Sequence, residues 1–331
     1  MLEPQANLSE AIRDQPTPLT TPFVSVIIPV FNDAKRLKVC LAALAQQTYP
    51  KALIEVIVVD NGSDDVEQVK EVVAQFAGAM GPGEPLRAIA TQELTPGSYA
   101  ARNRGIALAK GEVLAFTDAD CIPAADWIEQ GVSHLLSAPN CGLVAGKISL
   151  FFQNPHRLTP VELFEKVTAF AQKEYLEQHK YGATANLFTA KAVVERVGLF
   201  NAQLKSSGDK EWGQRVASMG YRQMYADNAQ VAHPARYSFD QLYRRTSRIV
   251  GGTYDLNRQG SWLSLQRNKV LVQGLLADLV PPLEFAFNAF RDLRLNGVEE
   301  KLKVSLVMFF VRYVSAWERI RLMLGGTSIR E

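Results

Sequence analysis

Cysteine is scarce in this chain of 331 residues, which contains three: Cys40, Cys121 and Cys141. The number is odd, and no two of them have the Cys-x-x-Cys spacing of zinc and redox motifs. This argues against a disulfide framework and against a zinc site. The pattern is typical of reduced, mostly buried thiols, and we expect a cytosolic protein.

Long apolar runs are also missing. A helix that spans a bilayer needs about 20 apolar residues, but Val270–Ala277 and Val304–Val311 are each followed at once by a charged residue. Residues 1–22 are polar and contain several prolines, without the apolar core of a signal peptide, so we expect a flexible N-terminal arm. The net charge of +2 gives no indication of a nucleic-acid partner.

What the sequence does contain is an apolar strand pattern that ends in two carboxylates, in the segment VLAFTDADCIP at residues 113–123. Open α/β folds bind ligands at the carboxyl ends of their strands. Asp118 and Asp120, placed there, can hold a hard divalent cation such as Mg²⁺ or Mn²⁺, which also binds phosphate oxygens. The segment therefore predicts a cation and a diphosphate ligand.

Strand and helix patterns alternate over the first 120 residues. The predicted elements, strand and helix in turn, are Phe23–Val30, Lys35–Gln47, Ile54–Val59, Val66–Phe76, Arg87–Thr91, Ala100–Ala109 and the strand before Asp118. This alternation predicts an α/β fold with a parallel sheet and right-handed crossovers. Asn32-Asp33, Asp60-Asn61 and Asp118 should then meet at one edge of the sheet.

Beyond Leu150 the pattern is mixed, and from Phe239 onward it is helical and amphipathic. We predict one helix over Val161–Lys180 and another over Ser206–Met219, with strand sequence at Tyr221–Val231. The chain thus divides into the arm at 1–22, a globular domain at 23–237 and a helical C-terminal region at 238–331.

Motifs spread over residues 23–237 are similar to those of a known family. They are VSVIIPVFND (24–33), IEVIVVDNGSDD (54–65), PGSYAARNRGIALAKGEVLAFTDAD (96–120), SGDKEWGQRV (207–216) and VAHPAR (231–236). The chain resembles a family-two glycosyltransferase of the GT-A fold, an inverting enzyme that uses nucleoside diphosphate sugars. The resemblance implies a Rossmann-like, mostly parallel sheet flanked by helices, with a helical C-terminal appendage.

The resemblance also implies a set of donor contacts. Asp60 corresponds to the acid that accepts a hydrogen bond from the nucleobase, although Asp-Asn-Gly-Ser is equally a turn sequence. Arg102 either contacts phosphate or pairs with a carboxylate of the site. The residues implied in nucleotide binding are Pro29, Val30, Asn32, Asp60, Gly97, Arg102 and Asp118.

For the cation, the resemblance implies that Asp120 is a direct ligand and that Asp118 reaches the ribose or a bound water. His233 corresponds to the histidine that completes metal or phosphate coordination in many GT-A enzymes. The expected cofactor is Mn²⁺ or Mg²⁺, and an imidazole ligand favours Mn²⁺. The alternative for His233 is a structural histidine in the core.

Asp209 matches the catalytic base of the family, which deprotonates the acceptor hydroxyl. The family usually has Glu-Asp here, and this chain has Gly208 before Asp209, so Glu211 is a reserve candidate. A helix start should lower the pKa of Asp209, and a helix N-cap is the alternative role. Asn186 and Trp212 are expected near the donor or acceptor sugar, and core packing is the alternative for Trp212.

Two features of the C-terminal region leave their roles open. The segment Gln241-Leu242-Tyr243-Arg244-Arg245 resembles the Gln-x-x-Arg-Trp segment of processive synthases, except that Arg245 replaces the tryptophan, which argues against a polymerising synthase. Arg244, Arg245 and Arg248 could instead clamp the diphosphate, and a solvated basic face is the alternative. Apolar residues also recur at helical spacing among basic ones, at Leu302, Leu306, Phe309, Tyr313, Trp317, Ile320 and Leu324. We favour packing of this face on the catalytic domain or a dimer contact over an interfacial membrane helix.

The sequence therefore predicts a transferase that moves a sugar from a nucleoside diphosphate, UDP being favoured, to a hydroxyl on a glycan or lipid-linked acceptor. Polysaccharide or glycolipid assembly at the cytoplasmic face of a membrane is the expected setting. A nucleotidyltransferase would need a glycine-rich basic loop, which Pro29–Asp33 is not. A non-catalytic nucleotide-sugar-binding scaffold remains an alternative, because the acid before Asp209 is missing.

Overall fold

The structure, a computed structural model, describes residues 21–79, 87–259 and 264–329. The predicted arm at 1–22 lies almost wholly outside the described residues. Within these ranges the strands are Val24–Val30 (β1), Ile54–Asp60 (β2), Arg87–Gln92 (β3), Val113–Thr117 (β4), Ile122–Pro123 (β5), Cys141–Phe151 (β6), Asn186–Ala190 (β7) and Arg222–Pro234 (β8). The helices are Ala34–Ala45 (α1), Val66–Ala79 (α2), Ser98–Leu108 (α3), Trp127–Ser137 (α4), Pro160–Thr168 (α5), Gln172–His179 (α6), Lys191–Val197 (α7), Gly208–Ser218 (α8), Phe239–Gln259 (α9), Ser264–Leu279 (α10), Leu283–Arg291 (α11) and Gly297–Met323 (α12).

The strands form one sheet in the order β3-β2-β1-β4-β7-β6-β8-β5. The first four run parallel to one another, as the alternating pattern predicts. β7 runs antiparallel to β4 and β6, β8 is parallel to β6, and β5 is antiparallel to β8. The architecture is therefore α/β with a mostly parallel sheet.

The register brings the predicted strand ends together. Val30 at the end of β1 lies beside Asp60 at the end of β2, and Ile27 pairs with Phe116 of β4. Parallel strands share one carboxyl edge, so the loops that follow these strands open on the same side of the sheet. This edge positions the candidate site.

Apolar side chains cover both faces of the sheet. One core cluster packs β1 and β2 against α1, α2 and α4, and the other packs the opposite face against α3, α7 and α8. β1 and β2 are buried almost throughout, which fits their continuous β-branched sequence. Because helices cover both faces of the sheet, a ligand can reach polar groups of the sheet at the ends of its strands.

The single helix predicted over Val161–Lys180 is wrong, because two helices, α5 and α6, occupy this range. Phe170 between them has φ +53°, a left-handed conformation that no continuous helix contains. Its ring lies 4.6 Å from the imidazole of His233, centroid to centroid. The break therefore places an aromatic side chain at the strand-end edge.

The C-terminal helix α12 packs on the rest of the molecule, but through a different face from the predicted one. Its buried apolar residues are Val304, Val307, Val314, Ala316 and Leu322. The predicted face is exposed, from 38% at Ile320 to 84% at Leu324, and its other members are Leu302, Leu306, Phe309, Tyr313 and Trp317. The expectation that this face packs on the catalytic domain is therefore wrong.

Exposed apolar residues continue on the two neighbouring helices. On α10 they are Val272, Leu276 and Leu279, and on α11 they include Leu283 and Phe287. Each set recurs at three- or four-residue spacing, so each lies on one side of its helix. In the described part of the chain, no helix has an apolar stretch long enough to cross a bilayer.

Candidate active site

Three cavities meet at the carboxyl edge of the sheet, and His233, Arg236 and Arg248 line all of them. The strand-end cavity, about 320 Å³, lies at the ends of β1 and β4 and is also lined by Asp120. The Asp209 cavity, about 270 Å³, contains the predicted base. The arginine cavity, about 540 Å³, adds Arg244 and Arg245. The molecule therefore has one branched cleft rather than three separate pockets.

The strand-end cavity contains several of the predicted nucleotide residues. Pro29, Val30, Gly97, Arg102 and Asp118 line it. Gly97 has φ +131°, a backbone conformation that residues other than glycine rarely adopt. Its N–H donates to Asn61 Oδ1 at 2.7 Å. The backbone can therefore approach a ligand closely where α3 begins.

Asp60 is buried at the end of β2 and does not itself line this cavity, whereas its neighbour Asn61 does. Its Oδ2 accepts hydrogen bonds from the N–H groups of Gly62 and Ser63 at 3.1 and 3.2 Å, so the residue does form the turn that its sequence allows. Among the described residues, its Oδ1 has no hydrogen-bond partner. Because a buried acceptor without a partner is costly, this atom is suited to accept a hydrogen bond from a ligand.

The structure does not bring the Asn32 side chain into the strand-end cavity. Its Nδ2 donates to Asp64 Oδ2 at 3.0 Å, and its Oδ1 accepts from the Asp64 N–H at 2.8 Å. Asn32 therefore ties the loop after β1 to the loop after β2, in a left-handed conformation of φ +50° that asparagine tolerates.

Asp118 and Asp120 have different partners. The Asp118 carboxylate accepts from Arg102 Nη2 at 2.5 Å, and the Arg102 side chain is 4% exposed. Of the two roles open to Arg102, pairing with a carboxylate is the one present. Asp120 Oδ1 instead lies 3.6 Å from His233 Nε2.

Asp120 and His233 have the geometry of a ligand pair for one cation. His233 Nδ1 lies 2.8 Å from the Pro234 carbonyl, which can only accept, so in the neutral ring Nδ1 carries the proton and Nε2 offers its lone pair. Cys121 Sγ belongs to the same group of candidate ligand atoms, all within 4.8 Å of one another. Burial raises the pKa of Cys121 well above its usual value, and a sulfur atom is a poor ligand for a hard cation.

The electrostatics at Asp120 also favour a cation. Burial raises the pKa of Asp120 and Asp118 adds to the rise, while His233 and Arg36 partly offset it. Arg36 Nη1 lies 3.6 Å from Asp120 Oδ2. A positive charge bound here would stabilise the ionised carboxylate, so Asp120 and His233 fit Mn²⁺ or Mg²⁺.

Asp209 lies in the first turn of α8 and not at its N-cap, which is Ser207. Its Oδ1 accepts from the Tyr99 hydroxyl at 3.1 Å and from the Lys210 N–H at 2.9 Å. The predicted lowering of its pKa is wrong: burial raises the pKa, and the hydrogen bonds and Arg102 offset only part of that effect. A raised pKa makes Asp209 a stronger base.

Two other predicted residues, both on α8, form contacts outside the cleft. Glu211 forms a bidentate ion pair with Arg215, at 2.6 and 3.0 Å. Trp212 is fully buried in the core and donates to the Gly198 carbonyl at 2.9 Å. Of the two roles considered for Trp212, core packing is the one present.

Asn186 is also fully buried and fully hydrogen-bonded. Its Nδ2 donates to the Lys147 and Ala229 carbonyls, both at 2.8 Å, and its Oδ1 accepts from Trp127 Nε1 at 2.8 Å. These bonds tie β7 to β6, β8 and α4. The side chain therefore supports the sheet and is not free to reach a sugar.

Sequence reasoning gave no role to Tyr99, Arg236 or Arg36. Two of them have a position that carried a signal: Tyr99 stands two residues after Gly97, and Arg236 ends the VAHPAR motif that contains His233. Arg248 lines all three branches, Arg245 lines the Asp209 and arginine cavities, and Arg244 lines the arginine cavity.

Comparison with known proteins agrees with this fold. Residues 25–201 match the family model described as "Glycosyl transferase family 2". The chain is 38% identical over 301 residues to glycosyltransferase AglE of Haloferax volcanii. The matched region covers 90% of this chain and 92% of that protein. It is 28% identical over 217 residues to the pre-mycofactocin glycosyltransferase of Mycobacterium tuberculosis, covering 64% of this chain and 43% of that one.

A similar solved structure is the mannosyltransferase PcManGT of Pyrobaculum calidifontis in complex with GDP-Man and Mn²⁺. The TM-score is 0.63 at 18% identity, covering 94% of this chain and 90% of that one, which is a likeness of fold. The chain belongs to glycosyl transferase family 2 and is a glycosyltransferase with the GT-A fold that its motifs predict.

Proposed function

We propose that this glycosyltransferase is inverting and metal-dependent, and that it moves a sugar from a UDP-sugar to a hydroxyl acceptor. The observation that carries the proposal is the shared cleft: the Asp120–His233 pair and the buried Asp209 border connected cavities. Arg102 links them, since it pairs with Asp118 and lines both cavities. One cleft thus offers a cation site, a nucleotide site and a base.

The donor nucleotide lies along the strand ends in this proposal. Asp60 Oδ1, buried and without a described hydrogen-bond partner, accepts from the imide N–H of a pyrimidine, which supports UDP. The backbone at Pro29, Val30 and Gly97 contacts the ribose. Arg248, which lines the same cavity, approaches the diphosphate.

Asp120 and His233 hold the cation, and Asp118 orients the ribose or a water ligand. When bound, a divalent cation neutralises the charge that develops on the diphosphate leaving group. The imidazole ligand favours Mn²⁺ over Mg²⁺.

Asp209 takes the proton from the acceptor hydroxyl. The hydroxyl oxygen bonds to the anomeric carbon as the bond from that carbon to the diphosphate oxygen breaks. The bonding electron pair leaves with the nucleoside diphosphate, and the proton goes to Asp209. A single displacement inverts the anomeric configuration.

Membrane contact through the C-terminal helices belongs to the same proposal. The exposed side of α12 from Leu302 to Leu324 is about 33 Å long at 1.5 Å per residue, and α10 and α11 expose apolar residues beside it. Residues 238–331 hold 14 basic and nine acidic side chains, a net charge of +5, which complements anionic lipid. We propose peripheral attachment to the cytoplasmic face of a membrane, in polysaccharide or glycolipid assembly.

The reaction is tested by incubating the protein with UDP-glucose, UDP-galactose, UDP-N-acetylglucosamine and GDP-mannose, each with Mn²⁺ or EDTA. We expect Mn²⁺-dependent release of UDP, and an inverted anomeric configuration in the product by NMR. Release of GDP alone would contradict the UDP assignment. Retention of configuration would contradict the single displacement.

The membrane contact is tested by co-sedimentation with vesicles of phosphatidylcholine and phosphatidylglycerol. The double variant Leu306→Glu/Tyr313→Glu should lose binding, and Leu94→Glu, an equally exposed apolar site outside the C-terminal helices, should keep it. A dimer in sedimentation analysis that the double variant abolishes, with no vesicle binding by the wild type, would assign this face to a second copy.

A further inference from the structure

Two stacked tyrosines form part of the wall of the Asp209 cavity. Tyr175 lies in α6 and Tyr181 two residues beyond the end of that helix, and both line the cavity. Their rings are parallel to within 8°, with centroids 5.0 Å apart, and both side chains are half-buried. In a stacked pair each ring covers one face of the other, so aromatic surface of the pair still borders the cavity.

The end of α6 brings the two rings together. Lys180, the C-cap, has φ +58°, a left-handed conformation that ends the helix. The Tyr181 N–H then donates to the Tyr175 carbonyl at 3.3 Å. Tyr181 also packs against α8 at Gly213, where an added Cβ would lie 2.7 Å from the Tyr181 Cα. The pair is therefore held by backbone contacts to its own helix and to the helix that carries Asp209.

A buried glutamine holds the next part of the same wall. Gln172, the first residue of α6, is 2% exposed, and its Oε1 accepts from the Ala183 N–H at 2.7 Å. Its Nε2 donates to the carbonyls of Ala183 and Asn186 at 3.3 and 3.2 Å. Residues 183–185, which these bonds hold, line the Asp209 cavity as well. The wall is therefore preorganised, which lowers the entropic cost of binding a ligand.

Much of the remaining lining of the Asp209 cavity is polar. Hydroxyl side chains line it at Thr184, Ser206 and Ser207, together with the carboxyl group of Asp209. A sugar ring has apolar faces of C–H groups and a rim of hydroxyls, so it complements an aromatic wall beside polar groups. An alkyl chain would instead leave the hydroxyl groups of the cavity without hydrogen-bond partners.

The charge and the size of the cavity agree with such a ligand. Burial raises the pKa of both tyrosines, Asp209 adds to the rise and Arg245 opposes it, so both hydroxyls stay protonated and can donate. The cavity volume is about 270 Å³, just below the range of about 300 to 1,000 Å³ for drug-sized ligands. This volume suits one sugar ring beside Asp209.

We infer that the hydroxyl acceptor is a sugar in its pyranose form, and that Tyr175 and Tyr181 select it by contact with a face of its ring. The inference rests on the proposed function, because it names the acceptor class of that reaction. One hydroxyl of the ring lies beside Asp209, which takes its proton. Neither tyrosine is among the described residues that line the strand-end cavity, so the donor keeps its own branch of the cleft.

The test measures UDP release in Mn²⁺ from the UDP-sugar that the wild type uses. Methyl pyranosides of glucose, galactose, mannose and N-acetylglucosamine are added in turn, and we expect at least one to accelerate the release. Tyr181→Leu should raise the KM for that glycoside about 10-fold, as for loss of an aromatic contact, while the KM for the donor stays at the wild-type value. Tyr181→Phe retains the ring and should recover most of the difference.

Tyr225→Leu is the matched control. Tyr225 is also half-buried, but it lines a separate cavity that α6 borders as well. Its replacement should leave the KM for the glycoside at the wild-type value. If Tyr181→Leu fails to fold, Tyr175→Leu should show the same rise, because both rings line the Asp209 cavity.

Three outcomes would overturn the inference or part of it. Acceleration by none of the glycosides, or by decanol in their place, would remove the sugar acceptor. Equal KM values in the wild type and Tyr181→Leu would remove the tyrosines from the site. A loss in Tyr181→Phe as large as in Tyr181→Leu would assign the contact to the hydroxyl and not to the face of the ring.

Saturation-transfer NMR separates this inference from the proposed function, because it detects binding of the methyl glycosides without turnover. Failure of the wild type to release UDP in Mn²⁺ would count against the proposed function. A glycoside signal from the wild type that Tyr181→Leu loses and Tyr225→Leu keeps would still support the sugar site. Absence of that signal from the wild type would overturn it.

Discussion

The two sides of the cleft are built differently. The strand-end side carries carboxylates at Asp118 and Asp120, each delivered by a buried strand and its following loop. The arginine side carries guanidinium groups from the segment after β8 and from α9, around one carboxylate from α5. The acidic side can hold a diphosphate through a cation, whereas the basic side can hold a phosphate directly.

The same contrast extends to the two regions of the sequence. Residues 1–237 hold 22 basic and 25 acidic side chains, a net charge of −3, whereas residues 238–331 carry +5. The overall charge of +2 conceals this difference. A near-neutral chain can therefore present separate surfaces for a cation and for an anion.

The largest expected effect concerns the two acids on α8. Asp209→Asn should lower the transfer rate by about 1,000-fold, within the range for a lost general base, while UDP binding with Mn²⁺ is retained. Glu211→Gln should stay within a few-fold of the wild type, because Glu211 pairs with Arg215 away from the cavities. Steady-state kinetics and calorimetry on both variants make the comparison.

Near-normal turnover by Asp209→Asn would remove Asp209 from the role of base. A large loss in Glu211→Gln with none in Asp209→Asn would transfer the role to Glu211. The second result would place the catalytic carboxylate outside the cleft described here.

A second prediction separates the acidic side from the basic side. Asp120→Asn should weaken UDP binding in Mn²⁺ by about 100-fold, as for loss of a charged ligand. Arg245→Gln should leave UDP binding in Mn²⁺ unchanged, because Arg245 does not line the strand-end cavity. Asp126→Asn, at the N-cap of α4, is the matched control and should keep the wild-type affinity.

Equal losses of UDP binding in Asp120→Asn and Arg245→Gln would mean that the two sides form one anion site. In that case the donor diphosphate could not be assigned to the strand-end branch.

The smallest expected effect is a shift in pH dependence. Burial raises the pKa of Asp209, and the hydrogen bond from Tyr99 works against that rise. Because the base acts when ionised, activity should be lost as the pH falls through this pKa. Tyr99→Phe removes the hydrogen bond, so the pKa of Asp209 should rise further and the acid limb should move to higher pH.

The pH profile of kcat checks this assignment. Above the acid limb, Tyr99→Phe should stay within a few-fold of the wild type. A uniform loss of kcat with no movement of the limb would mean that Tyr99 supports the position of α8 but does not affect the pKa of Asp209.

The sequence was a good guide to the strand-end side and a poor one to the arginine side. Asp118, Asp120 and Gly97 lie within a few residues of a strand or helix end, so periodicity alone places them at the edge of the sheet. Glu165 and Arg236 are 71 residues apart, and only tertiary packing makes them neighbours. An ion pair between residues so far apart in the sequence produces no local sequence pattern from which it could be predicted.

The errors have the same physical origin. The rule for helix starts predicts a lowered pKa for Asp209, but burial by tertiary contacts outweighs it. The sequence around Asn186 and Trp212 allows either contact with a ligand or packing in the core. Only their hydrogen bonds in the structure distinguish these two roles. Helical periodicity also identified the apolar face of α12, but periodicity cannot say whether that face is covered.

Calorimetric titration of the wild type with UDP, in Mn²⁺ and then in EDTA, tests the central claim most directly. The claim is that the acidic side binds the donor diphosphate through a cation held by Asp120 and His233. We predict binding in Mn²⁺ and its loss in EDTA. Equal affinity in both conditions would contradict the claim, because the nucleotide would then bind without the cation.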